Sequence, residues 1–323
     1  MDLLKDIYYQ DEYINLYLKE NEELFKFEYT DGNNIFVNKT IKRPIDKIGD
    51  IVVTDGYYDL ETAYGYGGFY TNSDDESFIS TAMKAYEKKC LEENIIAEFI
   101  RFHPFNNFPI LNSNFLDFNI EDRNTVIKKV DIDIMSSYAS KVRNTIKRSI
   151  EKIIIKQSNN IEKFQELYNA TMQKNSASDF YYFLKKYYEE LMKIKNIEFY
   201  ECSYNGEIIA MGFFMFGNDI AHYHLSANTD TSYKLNTNYA LLHHLFEIAK
   251  TKGMKYFLLG GGTTLDIDDS LLKFKQKFSK ETKPFYISGK IYNQEVYKKY
   301  NNLWKEQSSE DIRYFLKYRL ETK

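Results

Sequence analysis

Arg143 and Lys147 stand four residues apart in SSYASKVRNTIKRSIEK (136–152), where Lys141, Arg143, Lys147, Arg148 and Lys152 are balanced only by Glu151. On a helix that spacing puts both cations on one face. Arg then offers a planar fork and Lys a point charge, a pair suited to a diphosphate, although a solvated helix face has the same pattern. A second basic cluster lies in SLLKFKQKFSKETKP (270–284). Phe274 and Phe278, at i and i+4, anchor one helix face there, with Lys275 beside it. An amine at the end of a packed helix can hold phosphate or a nucleic-acid end, or remain a surface lysine.

Two glycine-rich stretches could bring backbone close to a ligand. YGYGG (64–68) holds three of the 14 glycines and precedes a helix-like segment, and FLLGGG (257–262) closes a strand-like run. Either can also be a plain turn. His222 and His224 sit at i and i+2 on a strand pattern, so both rings are expected on one side. Metal binding would need further donors that the sequence does not mark, which leaves a packed or substrate-facing pair. His103 precedes Pro104 at a strand end, and His243 and His244 are adjacent within a helix and cannot share a face.

Several chemistries are absent from the pattern. There is no G-x-x-x-x-G-K-[ST], G-x-S-x-G or H-E-x-x-H, and no cysteine pair at metal spacing. Neither long helix follows the glycine-containing loop that would hold a coenzyme A pyrophosphate, since SANTDTSYKLNTN (226–238) has no glycine. A net charge of −4 argues against wholesale nucleic-acid binding while permitting local basic patches. No apolar run reaches the ~18 residues of a membrane span, and the acidic start MDLLKDIYYQDEY does not read as a signal peptide. A cytoplasmic location and two buried free thiols, Cys90 and Cys202, are expected.

The elements that must position these residues fall into two similar halves. Hydrophobic residues at 43% and only four prolines describe a folded chain without long linkers. In the first half, a helix around 12–20 leads to a hairpin turning at Asp31-Gly32-Asn33-Asn34. Strand-like 50–60, the glycine-rich stretch, a helix over 74–94 and buried strand 95–105 follow, with a further strand in 124–134. The second half has a helix over 136–152, a short strand in IIIKQS and helices around 160–174 and 179–193. Three strands turn at Asn205-Gly206 and Gly217-Asn218-Asp219, and a helix over 236–253, closed by Gly253, leads to strand 254–262. A short helix near 269–278, a strand PFYISGKIY and two terminal helices complete the chain. A hairpin, a turn, an amphipathic helix and a buried strand thus occur twice. The fold class is α+β: two tandem acetyltransferase (GNAT)-like domains, each a mixed, largely antiparallel sheet flanked by helices. Residues 1–135 form the first and 136–323 the second, with the C-terminal helices free to pack back on the first.

In this order, YGYGG (64–68), RNTIKRSIEK (143–152), FQELYNATMQKNSASDFYYF (164–183), YHLSA (223–227), LLGGG (258–262) and FKQKF (274–278) resemble the Fem-type (FemA/FemB/FemX) peptidoglycan aminoacyltransferases and their tandem GNAT-like relatives. The resemblance covers about residues 60 to 280. It implies an acyltransferase that moves an aminoacyl group from aminoacyl-tRNA to the amine of a cell-wall precursor peptide carried on a diphosphate. By motif position, Lys275 corresponds to the catalytic lysine at the tRNA 3′ end and Arg143 to an acceptor-phosphate ligand, with Lys147 beside it. It also places YGYGG on the acceptor cleft wall, with Gly67 admitting backbone and Tyr64 or Tyr66 packing on a sugar or base. Lys42, Arg101, His224 and Gly261 complete the expected substrate-binding set, with Lys42 standing for the family's early acceptor lysine. No permanent cofactor or metal is implied. The long coiled-coil arm that some members carry is missing, since no heptad pattern appears between 152 and 200. That leaves two alternatives: N-acyl transfer from acyl-CoA or another carrier to an amino sugar or small amine, and a non-catalytic ligand-binding relative. The donor, the acceptor and the oligomeric state stay open.

Overall fold

The computed structural model describes residues 1–174, 182–266, 268–308, 310 and 312–322. The chain forms two compact units. The N-terminal unit contains residues 2–4, 8–123 and 284–323, and the central unit residue 1, residues 5–7 and 124–283. The division therefore falls at 123/124 and again at 283/284, rather than at 135/136. Strand Phe118–Lys129 carries the chain out of the N-terminal unit and strand Thr282–Ile291 carries it back.

In the N-terminal unit, strands Glu23–Asp31 and Asn34–Pro44 form a hairpin in which Asp31 pairs with Asn34, leaving a two-residue turn at Gly32-Asn33. Strand Tyr58–Glu61 joins Asn34–Pro44 antiparallel, and strand Ile95–Arg101 joins Tyr58–Glu61 in parallel. A parallel connection needs a crossover, here helix Glu76–Glu92. The Asp75 carboxylate caps it by accepting from the backbone N–H groups of Ser77 and Phe78. Its buried side Phe78, Ile79, Met83, Tyr86 and Cys90 recurs at helical spacing. Residues 284–323 close the unit. Strand Thr282–Ile291 pairs with Ile95–Arg101 (Gly289 with Phe99), helix Gln294–Gln307 buries Val296, Tyr300 and Trp304, and both Asp59 oxygens accept from Arg319 at 2.8 Å. The last expected helix is only a 3-10 turn at Lys317–Arg319.

The central unit orders its strands as the end of Phe118–Lys129, Tyr256–Gly260, Ile220–Asn228, Glu207–Phe216, Ile197–Tyr204 and Ile154–Gln157. All pair antiparallel except Ile220–Asn228 with Tyr256–Gly260. Helices Ser140–Ile150 and Thr237–Thr251 cover one side, Val142 and Ile146 packing with Leu241, Phe246 and Phe257 in one core. Helices Ile161–Lys174 and Lys185–Leu191 bring Phe164 and Tyr188 against Phe199 and Phe213. The expected helix from 179 opens at residues 179–181, which lie outside the described residues, as does part of the 164–183 motif. Both cysteines are buried and unbridged, and no helix of the described residues is long and apolar enough to cross a membrane.

One buried acid holds four pieces of the N-terminal unit together. Glu98, on strand Ile95–Arg101, is 1% exposed. It accepts from Asn38 Nδ2 at 2.8 Å, from the Tyr86 hydroxyl at 2.8 Å and from the Tyr292 hydroxyl at 2.6 Å. Burial pushes its carboxyl up to about 7, and the three neutral donors restrain the rise. Because the folded value exceeds the unfolded one, the folded state holds the extra proton between the two. Stability therefore falls as pH rises from about 4.5 to about 7, by at most roughly 3 kcal/mol, and levels off above. Denaturant unfolding between about pH 5 and 8 should show that slope in the native chain and a flatter profile in Glu98→Gln. Identical profiles would exclude Glu98 as its source.

Candidate active site

In the central unit the only parallel pair among the described strands runs for three residues: Ile220 with Tyr256, Ala221 with Phe257 and His222 with Leu258. Beyond that pair both strands deviate. Strand Ile220–Asn228 carries a bulge against its other neighbour, Phe213 pairing with Leu225 but Phe214 with Tyr223, so His224 is the extra residue. Strand Tyr256–Gly260 shifts register against Phe118–Lys129 between Leu258 and Gly260, and Gly260 has φ +76°. A bulge bends and twists its strand, and a left-handed residue turns the chain away. Two residues beyond the last pair, His224 and Gly260 therefore stand on opposite lips of a parting between strands.

The far lip continues as loop Gly260–Thr264 and then helix Ser270–Lys275. Lys275, at the end of that helix and 7% exposed, donates from Nζ to the Gly261 carbonyl at 2.6 Å. Phe274 and Phe278 pack around Tyr239 as their i, i+4 spacing predicts. Two of the expected site residues are thus brought together: Gly261 is the acceptor that holds the Lys275 amine. Asp269, which the sequence reading passed over, caps the helix through Leu272 N–H and accepts from the Thr263 and Thr264 backbone as well. An Asp-Ser pair just ahead of LLKFK is a readable N-cap signal.

On the near lip the two histidines take different partners. His222 Nε2 lies 2.7 Å from Asp6 Oδ2, both groups buried, while His224 Nε2 lies 2.9 Å from the Tyr187 hydroxyl. Burial, and then the neighbouring His222, lowers His224 to about 3, so its ring is neutral at ordinary pH. It supplies shape and hydrogen bonding at the lip rather than charge.

Helix Ser140–Ile150 keeps its basic side outward. Arg143 donates to the Tyr138 carbonyl and, at 3.0 Å, to Ser140 Oγ, so its fork tethers the start of its own helix, where Ala139 offers no capping side chain. Lys147 is exposed one turn on. At the start of helix Thr237–Thr251, where coenzyme A pyrophosphate would need free N–H groups, the chain instead forms helix Asp230–Leu235. Asn236, φ +57°, ends one helix and starts the other, its carbonyl accepting from Ser149 Oγ at 3.2 Å. Thr237 is fully buried. Elsewhere in this unit a cleft of about 570 Å³ between Leu167, Thr171, Lys174, Thr229, Asp230 and Tyr233 contains none of the expected site residues.

The remaining expected residues lie in the N-terminal unit, mostly engaged with their own surroundings. Lys42 is held between two carboxylates. Its amine pairs with Glu93 at 2.8 Å and Glu23 at 3.0 Å; burial opposes its charge, and the two carboxylates outweigh that and raise its pKa. Arg101 donates to Glu61 and to the Thr62 carbonyl. Gly67 donates to the Arg101 carbonyl at 2.8 Å and accepts from His103 N–H at 3.0 Å and the Tyr9 hydroxyl at 2.7 Å. The glycines here make room for the protein itself: a Cβ on Gly65 would meet the Tyr8 ring at 2.3 Å, and one on Gly68 the Phe102 ring at 2.5 Å. Tyr66 sits edge-on to Tyr8, His103 and Phe285, and burial pushes its hydroxyl up to about 12. Tyr64 stacks on Tyr17 with ring centroids 5.8 Å apart.

The acetyltransferase (GNAT) domain family matches residues 140–275, the stretch that spans this parting and ends on Lys275. No curated protein matches by sequence. Among solved structures, FemX superposes with a TM-score of 0.72 at 12% identity, over 92% of this chain and 94% of that one. L-PGS from Bacillus licheniformis follows with 0.54 at 12% identity, over 83% and 84%. A conserved protein of unknown function from Bacteroides thetaiotaomicron gives 0.55 at 12% identity, over 89% and 90%. At such identities the likeness is one of fold, and it agrees with the tandem GNAT-like α+β architecture expected from the sequence.

The packing of YGYGG has a direct consequence for stability. Gly68→Ala forces a side chain onto a backbone at φ +91° and into Phe102, and should cost roughly 2–4 kcal/mol. Gly32→Ala, at φ +58° in open space, should cost about 1 kcal/mol. Comparable shifts in the unfolding midpoints of the two variants would refute the account.

Proposed function

We propose that this chain is an acyltransferase that moves an aminoacyl group from aminoacyl-tRNA onto the amine of a peptidoglycan-precursor peptide. The observation that carries the reading is Lys275, a nearly buried amine held against Gly261 where the parallel strands part. The FemX-like fold supports it. So does the buried start of helix Thr237–Thr251, which follows directly on helix Asp230–Leu235 where acyl-CoA chemistry would need exposed N–H groups.

In this reading the acceptor amine attacks the ester carbonyl between the amino acid and the terminal ribose. The new C–N bond forms, a tetrahedral oxyanion develops, and the C–O bond to the ribose oxygen breaks as the amine's proton ends on that oxygen. The Lys275 ammonium, and backbone N–H groups of the parted strands, stabilise the oxyanion. Neutral His224 lines the near lip without competing for the negative charge. No side chain is assigned as general base; holding the amine and ester together supplies much of the rate. Arg143 and Lys147 are the acceptor-phosphate ligands in this reading, with Arg143 exchanging its carbonyl contact for the phosphate.

Transfer of acyl groups from acyl-CoA to an amino sugar or small amine is the second reading, favoured by the GNAT domain match itself. A thermal-shift comparison of acetyl-CoA with a UDP-linked muropeptide, followed by a filter assay with charged tRNA, separates the two. Stabilisation by the muropeptide and tRNA-dependent transfer are expected; stabilisation and turnover with acetyl-CoA alone would overturn the first reading. Lys275→Ala should lower transfer about 100-fold or more, the scale of losing one oxyanion donor, while melting within a few degrees of the native chain. Unchanged turnover would remove Lys275 from the chemistry.

A further inference from the structure

We propose that Asp269 is the positioning residue for Lys275, clamping the loop that carries Gly261 to the helix that carries the amine. The inference rests on the reading of Lys275 given above. The hydrogen bond between Lys275 and Gly261 joins residues fourteen apart in the chain. Its geometry therefore depends on how loop Gly260–Thr264 and helix Ser270–Lys275 are held together. Neither is stiff by itself. Three successive glycines, Gly260 to Gly262, have the greatest backbone freedom to lose, and a six-residue helix is far below the length that is stable alone.

Asp269 ties the two. Its Oδ2 accepts from Thr263 N–H at 3.0 Å, Thr263 Oγ1 at 2.5 Å, Thr264 N–H at 3.1 Å and Thr264 Oγ1 at 3.2 Å. Its Oδ1 accepts from Leu272 N–H at 2.8 Å, capping the helix three residues before Lys275. Asp269 is 8% exposed. Burial works against its charge, but the Thr263 hydroxyl and the three backbone N–H groups outweigh it and hold the acid far below the ordinary range. The clamp stays charged throughout the working pH range. Gly262 is part of the fit: a Cβ there would meet Asp269 Oδ1 at 2.5 Å. Five donors converge on one carboxylate, and the segments they come from hold the two ends of the Lys275 hydrogen bond.

An amide cannot replace this acid. In Asp269→Asn one oxygen becomes an NH₂ group, which either turns toward donors it cannot accept from or gives up the helix cap. The loop should then release Gly261, and Lys275 should become accessible. Trace labelling of lysines with acetic anhydride, read by mass spectrometry, tests this without any substrate. Lys273, on the same helix, 54% exposed and paired with Asp268 at 2.7 Å, is the internal standard. In the native chain Lys275 should label at least about tenfold more slowly than Lys273, because burial and the Gly261 carbonyl hold its amine. In Asp269→Asn the two rates should approach each other. Gly262→Ala should give the same result by displacing the carboxylate, and the Thr263→Val, Thr264→Val pair a smaller one by removing only the hydroxyls. These two keep the test open if Asp269→Asn fails to fold. An unchanged Lys275-to-Lys273 ratio in folded variants would overturn the proposal.

The filter assay with charged tRNA and muropeptide adds a second readout. Asp269→Asn should lower kcat about tenfold with KM little changed, and shift the pH dependence of kcat, which a loss of stability alone would not do. If labelling of Lys275 rises but transfer does not fall, Asp269 still positions the amine and the functional reading of Lys275 is what fails.

Discussion

The central unit is organised around the point at which its parallel strands stop pairing. Three paired residues, ending at His222 and Leu258, are enough to align Ile220–Asn228 with Tyr256–Gly260. Both strands remain anchored on their far sides, to Glu207–Phe216 and Phe118–Lys129, so the parting costs little of the sheet. The extra residue at His224 and the left-handed Gly260 make it local. Apart from the outward basic face of helix Ser140–Ile150, the candidate residues of the unit gather at that opening: the neutral histidine on one lip, and on the other the glycine loop, its carboxylate clamp and the amine of Lys275.

The N-terminal unit repeats the connectivity and ends differently. Its parallel pair, Tyr58–Glu61 with Ile95–Arg101, does not part at the end of the ladder. Thr62 continues the bonding by donating to Phe99, and Gly67 bridges to Phe102, donating to Arg101 and accepting from His103. Tyr8 and Phe102 press on the glycine backbone, and the Tyr9 and Tyr13 hydroxyls fasten the carbonyls of Gly67 and Tyr64. One strand order thus serves two ends: in one unit the parallel ladder stops and polar groups stand on its two continuations, in the other backbone hydrogen bonds carry it on and aromatic rings pack over it. Gly65 and Gly68 of YGYGG are there because rings need the space, and Gly67 because the Thr62 methyl does, which is why a glycine-rich turn ahead of a helix is ambiguous without its neighbours.

Much of this was legible in the sequence because it is written in local periodicity and turn chemistry. The hairpin turns at Gly32 and Gly206, the helix closed by Gly253 and the buried strand before the three glycines all lie where pattern puts them. The i, i+4 phenylalanines that seat Lys275 were equally readable. What escaped depends on partners distant in sequence. A bulge at His224 breaks the period of two without changing residue types, so the two histidines, expected on one side, serve different partners. The pairing of Lys42 with Glu93, fifty-one residues away, is invisible from the hairpin that carries the lysine. The sequence left the C-terminal helices free to pack back on the first unit, but nothing in residues 284–323 says that Arg319 will meet Asp59. Asp269 carried an N-cap signal for its helix, but its hold on a loop of glycines and threonines has no periodic trace.

The return of residues 284–323 to the N-terminal unit sets the order in which the protein can be made. Domains fold as units while the chain emerges from the ribosome at about 5–20 residues per second. The central unit has all its strands once residue 283 is out, yet the unit begun before it still lacks a strand, a helix and the Arg319 partner of its buried Asp59. Until then strand Ile95–Arg101 presents an unpaired edge. Of the two units, the one that starts first is therefore finished last, after the unit inserted between its segments is complete.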